Sequence, residues 1–298
     1  METTNLQELL DRYLHHCATL RGYAPRTIDG YKNTFKLFFR ESEVRHTHEL
    51  NLKVFEEWFI HGRMERKWTP VTFRGHLKYL NTFMKWLIKE GLVEQNYLDK
   101  LEKPRLEHKI PRTLSKKEAE LILEASFHLS YPYRFAKYRN RAIVAIMLMA
   151  GLRRQEVIKL CLNDVSVENK SIFIRQAKWG KDRIVPMNQK LQQILYEYQQ
   201  DRRRLKKQNI HFFTSIQKDN QIGDRAITNI IKKLRDTTKI YFSAHTLRHA
   251  FARLMLEGGC DIYTLSKLMG HSKITTTTIY LSCSNQQMSK AVEMHSLN

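Results

Sequence analysis

Glycine and proline are scarce in this chain of 298 residues, eleven and six respectively. So few backbone breakers exclude a collagen-like or low-complexity chain and leave long uninterrupted elements, helices above all. Cysteine is scarcer still: Cys17, Cys161, Cys260 and Cys283 lie far apart, with no Cys-x-x-Cys spacing. That pattern argues against a zinc site or a disulfide framework and for free thiols in a reducing cytosol. The longest apolar run, AIVAIMLMAGL from Ala142 to Leu152, is far too short to cross a bilayer and ends at Arg153 and Arg154. The opening METTNLQELLDRYL has early acids and no apolar h-region, so it does not read as a secretory signal.

Acidic side chains are also in short supply, 30 Asp and Glu against 51 Lys and Arg, a formal charge of +21. The imbalance is local. Residues 1–103 carry 17 basic and 14 acidic groups, residues 113–298 carry 31 and 15. An excess on one segment points to a polyanionic partner, because each phosphate neutralised releases a counterion. The acids are scattered along the chain, whereas a metal-dependent nuclease needs two or three convergent carboxylates. No metal or other cofactor is therefore expected.

What the chain does contain is helical periodicity. Asn5–Leu20, a segment opened by Pro25 (PRTIDGYKNTFKLFFR), Asn51–His61 and a long run from Pro70 to a stop at Gly91 predict a four-helix domain over residues 1–103. A two-proline stretch over residues 104–112 predicts an extended, mobile linker. The second domain, residues 113–298, opens with a capping-box pattern, Ser115 to Glu118, and includes a buried helix over Ala142–Leu152. Val165–Met187 alternates apolar and polar residues, with turns at 168–170 and 179–182, and predicts a three-stranded antiparallel sheet. Helices are expected from Asn188 to the end, with RRRLKK (Arg202–Lys207) as a solvated helix face. The fold class is thus mainly α with a small antiparallel β-sheet, in two domains.

Six side chains then need one explanation. Taken singly, Arg153 with Glu156 reads as a structural salt bridge, Lys178 as a hairpin lysine, and Tyr280 as a packing residue. His245 and Arg248 lie three apart on one helix face, and His271 follows LMG at a helix end. Together they supply what breaking a phosphodiester requires. A phenol, Tyr280, attacks phosphorus and needs a base because its ordinary pKa is about 10. Forked guanidiniums, Arg153 and Arg248, bind the equatorial oxygens. His245 shifts a proton or donates to the phosphate, His271 donates a further hydrogen bond, and Lys178 protonates the departing hydroxyl.

These residues and their order resemble the tyrosine recombinases, the phage-integrase-like family that includes the Xer enzymes. GLRRQEV is similar to the family's first-arginine box, AKWGKDRIVPM to its hairpin-lysine segment, and HTLRHAFARLMLEGG and LMGHSKITTTTIY to its two C-terminal boxes. LRGYAPRTIDGYKNTF and TPVTFRGHLKYLNTFMKWLIKEG resemble its helical core-binding domain. The resemblance implies a C-shaped two-domain clamp on double-stranded DNA bearing specific recombination sites, assembled as a homo- or heterotetramer, with an accessory protein as a further partner. It implies that Tyr280 forms a 3′-phosphotyrosyl link, that Arg153, His245, Arg248 and His271 activate the phosphate, and that Lys178, with Lys181 as the alternative, is the general acid. Glu156 is expected to support Arg153. Arg26, Thr27, Arg74 and Lys78 are the expected DNA contacts of the first domain.

The expected function is site-specific recombination, Xer-like or in a mobile element, in the cytoplasm at the nucleoid. A type IB topoisomerase-like enzyme and a non-catalytic DNA-binding protein are the alternatives. One departure stands out: Ala-Lys-Trp-Gly-Lys replaces the Gly-Lys-Gly of many Xer-like hairpins. The tail after Tyr280, with Met288, Ala291, Val292 and Met294, is expected to dock on a neighbouring protomer.

Overall fold

The computed structural model describes residues 5–106, 112–175, 182–271 and 275–278. The chain divides into two compact units, Met1–His108 and Lys109–Asn298. In the first unit, α1 (Leu6–Thr19), α2 (Pro25–Ser42), α3 (Leu52–Met64) and α4 (Pro70–Lys89) form a helical domain. Their starts follow from local chemistry. The Asn5 side chain accepts from the amides of Gln7 and Glu8, and Thr69 caps Thr72 ahead of a proline at the first helical turn. The core is strongly aromatic: Tyr13, Tyr31, Phe35, Phe38, Phe55, Phe59, Phe83 and Trp86 are all buried. Such rings bury large areas and favour the edge-on contacts seen between Tyr13 and Phe83 and between Phe38 and Trp58.

The second unit contains α5 (Lys116–His128), α6 (Arg134–Met149), α7 (Arg154–Lys159), α8 (Gln189–Arg204), α9 (Asp224–Thr238), α10 (Ala244–Glu257), α11 (Ile262–Met269) and α12 (Thr275–Thr278). The predicted capping box forms: Ser115 N–H donates to Glu118 at 2.7 Å and Glu118 N–H donates to Ser115 Oγ at 3.2 Å. Helix α6, buried along most of its length, packs against α5, α8 and α10. Strands β1 (Val165–Ser166), β2 (Ser171–Ile174) and β3 (Arg183–Pro186) pair antiparallel in the order β1-β2-β3, with Ile172 opposite Val185.

Three expectations are corrected. The helix expected over Ala142–Leu152 begins at Arg134 and ends at Met149. Gly151 takes φ +64°, and a Cβ there would lie 2.3 Å from Phe251 Cδ1, so only glycine fits the turn that stops the helix. Helices do not run unbroken from Asn188. Residues 205–223 form an irregular segment carrying isolated bridges, Cys161 with His211 and Thr214 with Gln221. RRRLKK is a solvated helix face only in part: Arg203 and Arg204 are exposed in α8, but the helix ends there. Arg202 is buried, and its guanidinium donates to the carbonyls of Lys207 (2.5 Å), His211 (3.2 Å), Phe212 (3.4 Å) and Asn209, tying down that segment.

Candidate active site

The site is built around the carboxyl end of α11. A helix leaves its last carbonyls without intrahelical partners. Here Gly270, at φ +63°, closes the helix: its N–H donates to Lys267 O, and His271 N–H donates to Ser266 O at 3.1 Å. This paired closure is a Schellman motif, and it still leaves the next carbonyls open. Three guanidiniums fill them in succession. Arg183 Nε donates to Leu268 O (2.8 Å), Arg248 Nη2 to Met269 O (2.6 Å) and Arg153 Nη2 to Gly270 O (3.3 Å). Cations at the negative end of a helix are favourably placed.

The same three arginines surround one carboxylate. Glu156 lies in the first turn of α7, where its Oε2 accepts from the Arg153 N–H at 2.7 Å. Its Oε1 accepts from Arg153 Nη1 (2.8 Å) and Arg183 Nη1 (3.0 Å), and its Oε2 from Arg183 Nη2 (2.8 Å); Arg248 Nη1 stands 3.9 Å away. Burial works to raise the Glu156 pKa, but the hydrogen bonds and charge of Arg183, then of Arg153, outweigh it and hold the carboxyl below its ordinary value. One carboxylate against three guanidiniums leaves a cationic pocket. Arg248 and Arg183 are buried, with side chains 6% and 7% exposed, while that of Arg153 is 37% exposed. Arg153 is thus the member of the cluster most open to an incoming anion.

Arg248 has a further anchor, Gly151 O, which accepts from its Nη1 at 2.5 Å. The glycine turn that ends α6 therefore also aims a carbonyl at the arginine of α10. Arg248 Nη2 lies 3.2 Å from His271 Nε2. A guanidinium can only donate, so Nε2 is the acceptor and the imidazole proton resides on Nδ1. That Nδ1 donates to Thr277 Oγ1 at 2.8 Å. Burial first, then the charges of Arg248, Arg153 and Arg183, push the His271 pKa down to about 4, so the ring is neutral at pH 7.

The structure brings together Arg153, Glu156, Arg248 and His271. His245 sits exposed in the first turn of α10, its ring centroid 6.4 Å from that of His249. Lys178, Lys181, Tyr280 and the tail lie outside the described residues. The described residues that flank the two lysines in sequence are each held by a carboxylate. Arg175 Nε and Nη2 each reach Asp164 Oδ1 at 2.8 Å, and Arg183 grips Glu156. In the first unit Arg26, Arg74 and Lys78 are exposed and Thr27 is half-buried; Arg74 donates to Pro104 O through Nε (3.2 Å) and Nη2 (3.0 Å). Among the described residues no three His, Cys, Asp or Glu side chains are arranged to hold a metal ion.

Arg183, Thr277 and His249 are the participants that the sequence reading missed. Arg183 did carry a signal. It lies in phase with Val185 on β3, so the strand buries a charge while Ile184 is 64% exposed. A buried guanidinium requires a carboxylate partner. His249, in α10, has its pKa lowered by burial and by His245 and Arg248.

Residues 112–287 match the phage integrase family, and residues 9–94 match the N-terminal SAM-like domain of phage integrases. Tyrosine recombinase XerC of Thermodesulfovibrio yellowstonii is 28% identical over 284 residues, spanning 93% of this chain and 92% of its own. Tyrosine recombinase XerC 2 of Ralstonia nicotianae is 30% identical over 289 residues, 91% and 82% of the two chains. The fold is shared with XerH site-specific recombinase bound to palindromic difH substrate in a post-cleavage complex (TM-score 0.75, 20% identity, 93% and 82% of the two chains). It is shared also with the Tn1549 transposon integrase in complex with transposon right end DNA (TM-score 0.76, 16% identity, 97% and 99%). With both segments matched and the relatives aligned over nearly their whole length, the chain belongs to the phage integrase family, among the Xer-like tyrosine recombinases that act as site-specific DNA recombinases.

Proposed function

We propose that this recombinase binds double-stranded DNA at paired sites as a tetramer and exchanges strands through a covalent link to Tyr280. The observation that carries the reading is the Arg153–Arg248–His271 cluster at the end of α11. It offers guanidinium donors around one carboxylate beside a neutral imidazole, a pocket suited to a phosphate whose negative charge rises in the transition state.

In this reading Tyr280 Oη forms a bond to phosphorus as the bond from phosphorus to the 5′-oxygen breaks. His245 takes the phenolic proton, and Lys178 supplies a proton to the departing 5′-hydroxyl. Arg153 and Arg248 bear the charge on the non-bridging oxygens. The phosphotyrosyl ester conserves the energy of the broken linkage, so a 5′-hydroxyl from the partner strand displaces Tyr280 without ATP. Glu156 orients Arg153. Arg26, Thr27, Arg74 and Lys78 serve as contacts of the first unit to the DNA backbone, with Arg74 exchanging the Pro104 carbonyl for a phosphate. The residues after Tyr280 link neighbouring protomers, and the protein acts in the cytoplasm at the nucleoid, where its basic second segment favours a polyanion.

The test uses DNA selected by binding from a random library and nicked near the cleavage point, so that the freed strand diffuses away. Wild-type protein is expected to accumulate a protein–DNA adduct. Tyr280→Phe is expected to bind the same DNA and give none; an adduct in that variant refutes the assignment. A supercoiled plasmid lacking the site is expected to stay supercoiled, whereas a topoisomerase relaxes it.

A further inference from the structure

The hydroxyl of Thr277 has a position that strand cleavage at the Arg248–His271 pocket does not by itself require. Thr277 is fully buried in the four-residue helix α12, three positions before Tyr280, and its Oγ1 lies 2.8 Å from His271 Nδ1. On the other side of the ring, Nε2 accepts from Arg248 at 3.2 Å. Both ring nitrogens are therefore engaged, and the tautomer is the wrong one for the role expected of His271. A ring whose only proton sits on Nδ1 cannot donate from Nε2 to a phosphate oxygen.

A hydroxyl resolves the conflict because it both donates and accepts. We propose that Thr277 is a positioning residue that holds His271 by Nδ1 in either tautomer, letting Nε2 accept from Arg248 without DNA and donate to the scissile phosphate when DNA is bound. When a phosphate draws the Arg248 fork away, the proton on Nδ1 exchanges with water for one on Nε2, with no net change in charge. The Thr277 O–H then turns to donate to Nδ1. Neither serine nor threonine is distinguished in this role, whereas valine, of nearly the same shape, can hold neither tautomer. The inference rests on the reading that His271 contacts the scissile phosphate, and it adds the group that makes such a contact possible.

The experiment compares wild type, Thr277→Val and Thr277→Ser on the nicked substrate, with Tyr280→Phe alongside. Loss of the group that orients a metal-ligating histidine costs about 10–100-fold, and a loss of that size is expected here. Thr277→Val is expected to form adduct slower by that factor while binding the DNA within about twofold, and Thr277→Ser is expected to recover most of the rate. In case valine perturbs folding, the nitrogen-15 shifts of His271 are read in wild type with and without DNA. Without DNA, Nδ1 is expected to carry the proton; with DNA, Nε2 is expected to carry one. Wild-type cleavage by Thr277→Val, or an Nε2 that stays unprotonated on DNA, overturns the proposal. An adduct in Tyr280→Phe would instead strike at the underlying reading, so the two failures are distinguishable.

Discussion

Arg183 and Glu156 meet as a two-pronged pair, Nη1 to Oε1 at 3.0 Å and Nη2 to Oε2 at 2.8 Å, with side chains 7% and 11% exposed. The pair joins β3 to α7, and the third nitrogen of the same guanidinium reaches the end of α11. Removing one member of a buried pair costs about 3–5 kcal/mol when the other is left wholly unpaired, and because Arg153 and Arg248 stay beside Glu156 the loss belongs at the lower end, about 3 kcal/mol. Arg183→Met is therefore expected to lower unfolding free energy by that order in chemical denaturation. Adding Glu156→Gln also takes the carboxylate away from Arg153 and Arg248 and is expected to lower stability further rather than restore it. Equal stability of wild type and Arg183→Met would show that the pair contributes nothing net.

Gly151 performs two tasks whose effects can be separated. Its φ of +64° costs an ordinary residue about 1–2 kcal/mol, and the Phe251 ring fills the place of a Cβ. Its carbonyl also holds Arg248. Gly151→Ala is expected to lose stability by more than the backbone term alone and to slow adduct formation. Combining it with Phe251→Ala relieves the clash but not the backbone term or a displaced carbonyl. Cleavage that recovers fully in the double variant would show that the glycine serves only to make room.

The division between what could and could not be read in the sequence follows the range of the forces involved. Helix starts are local: Asn5, Thr69 and Ser115 cap amides two or three residues on, so α1, α4 and α5 were legible. Arg153 and Glu156 were legible as a pair because they share one turn. The α11 cluster was only half so. His271 follows directly from the Gly270 stop, but Arg183 arrives from a strand 85 residues away from Leu268, and no local pattern encodes that meeting. Arg202 misled for the same reason. A run of bases on a helix reads as solvated until an irregular segment folds its carbonyls onto one of them.

The depressed pKa of His271, about 4 against an ordinary 6.5, makes a prediction with a definite sign. The folded ring resists protonation, so the unfolded chain binds more protons between those values. The contribution is constant above about pH 6.5 and lost as pH falls from there toward 4. His249, lowered in the same direction, also loses its contribution as pH falls below about 6.5, so stability alone does not isolate His271. Its ring resonance does: its titration midpoint is expected well below 6.5 in the free protein. A bound phosphate offsets the arginine charges and should raise that midpoint. DNA binding at pH 6 is then expected to take up protons, seen as a binding enthalpy that depends on the buffer's ionisation enthalpy. A midpoint near 6.5 without DNA would contradict the buried, cation-flanked ring.

Arg202 and Arg203 are neighbours with opposite fates, one buried against backbone carbonyls and the other exposed. Arg202→Ala strips donors from the carbonyls of Lys207, Asn209, His211 and Phe212 at once. Unsatisfied buried acceptors cost about 1–3 kcal/mol each, though those that reach water lose less. A destabilisation on the order of 3 kcal/mol is expected, with amide exchange rising first across residues 207–216. Arg203→Gln should stay within about 0.5 kcal/mol, as surface changes usually do. If the two variants behave alike in denaturation, then Arg202 is one more surface cation, and the irregular segment must be held by something else, with Lys207 Nζ at the carbonyls of Ser215 (3.3 Å) and Ile216 (3.1 Å) the next group to remove.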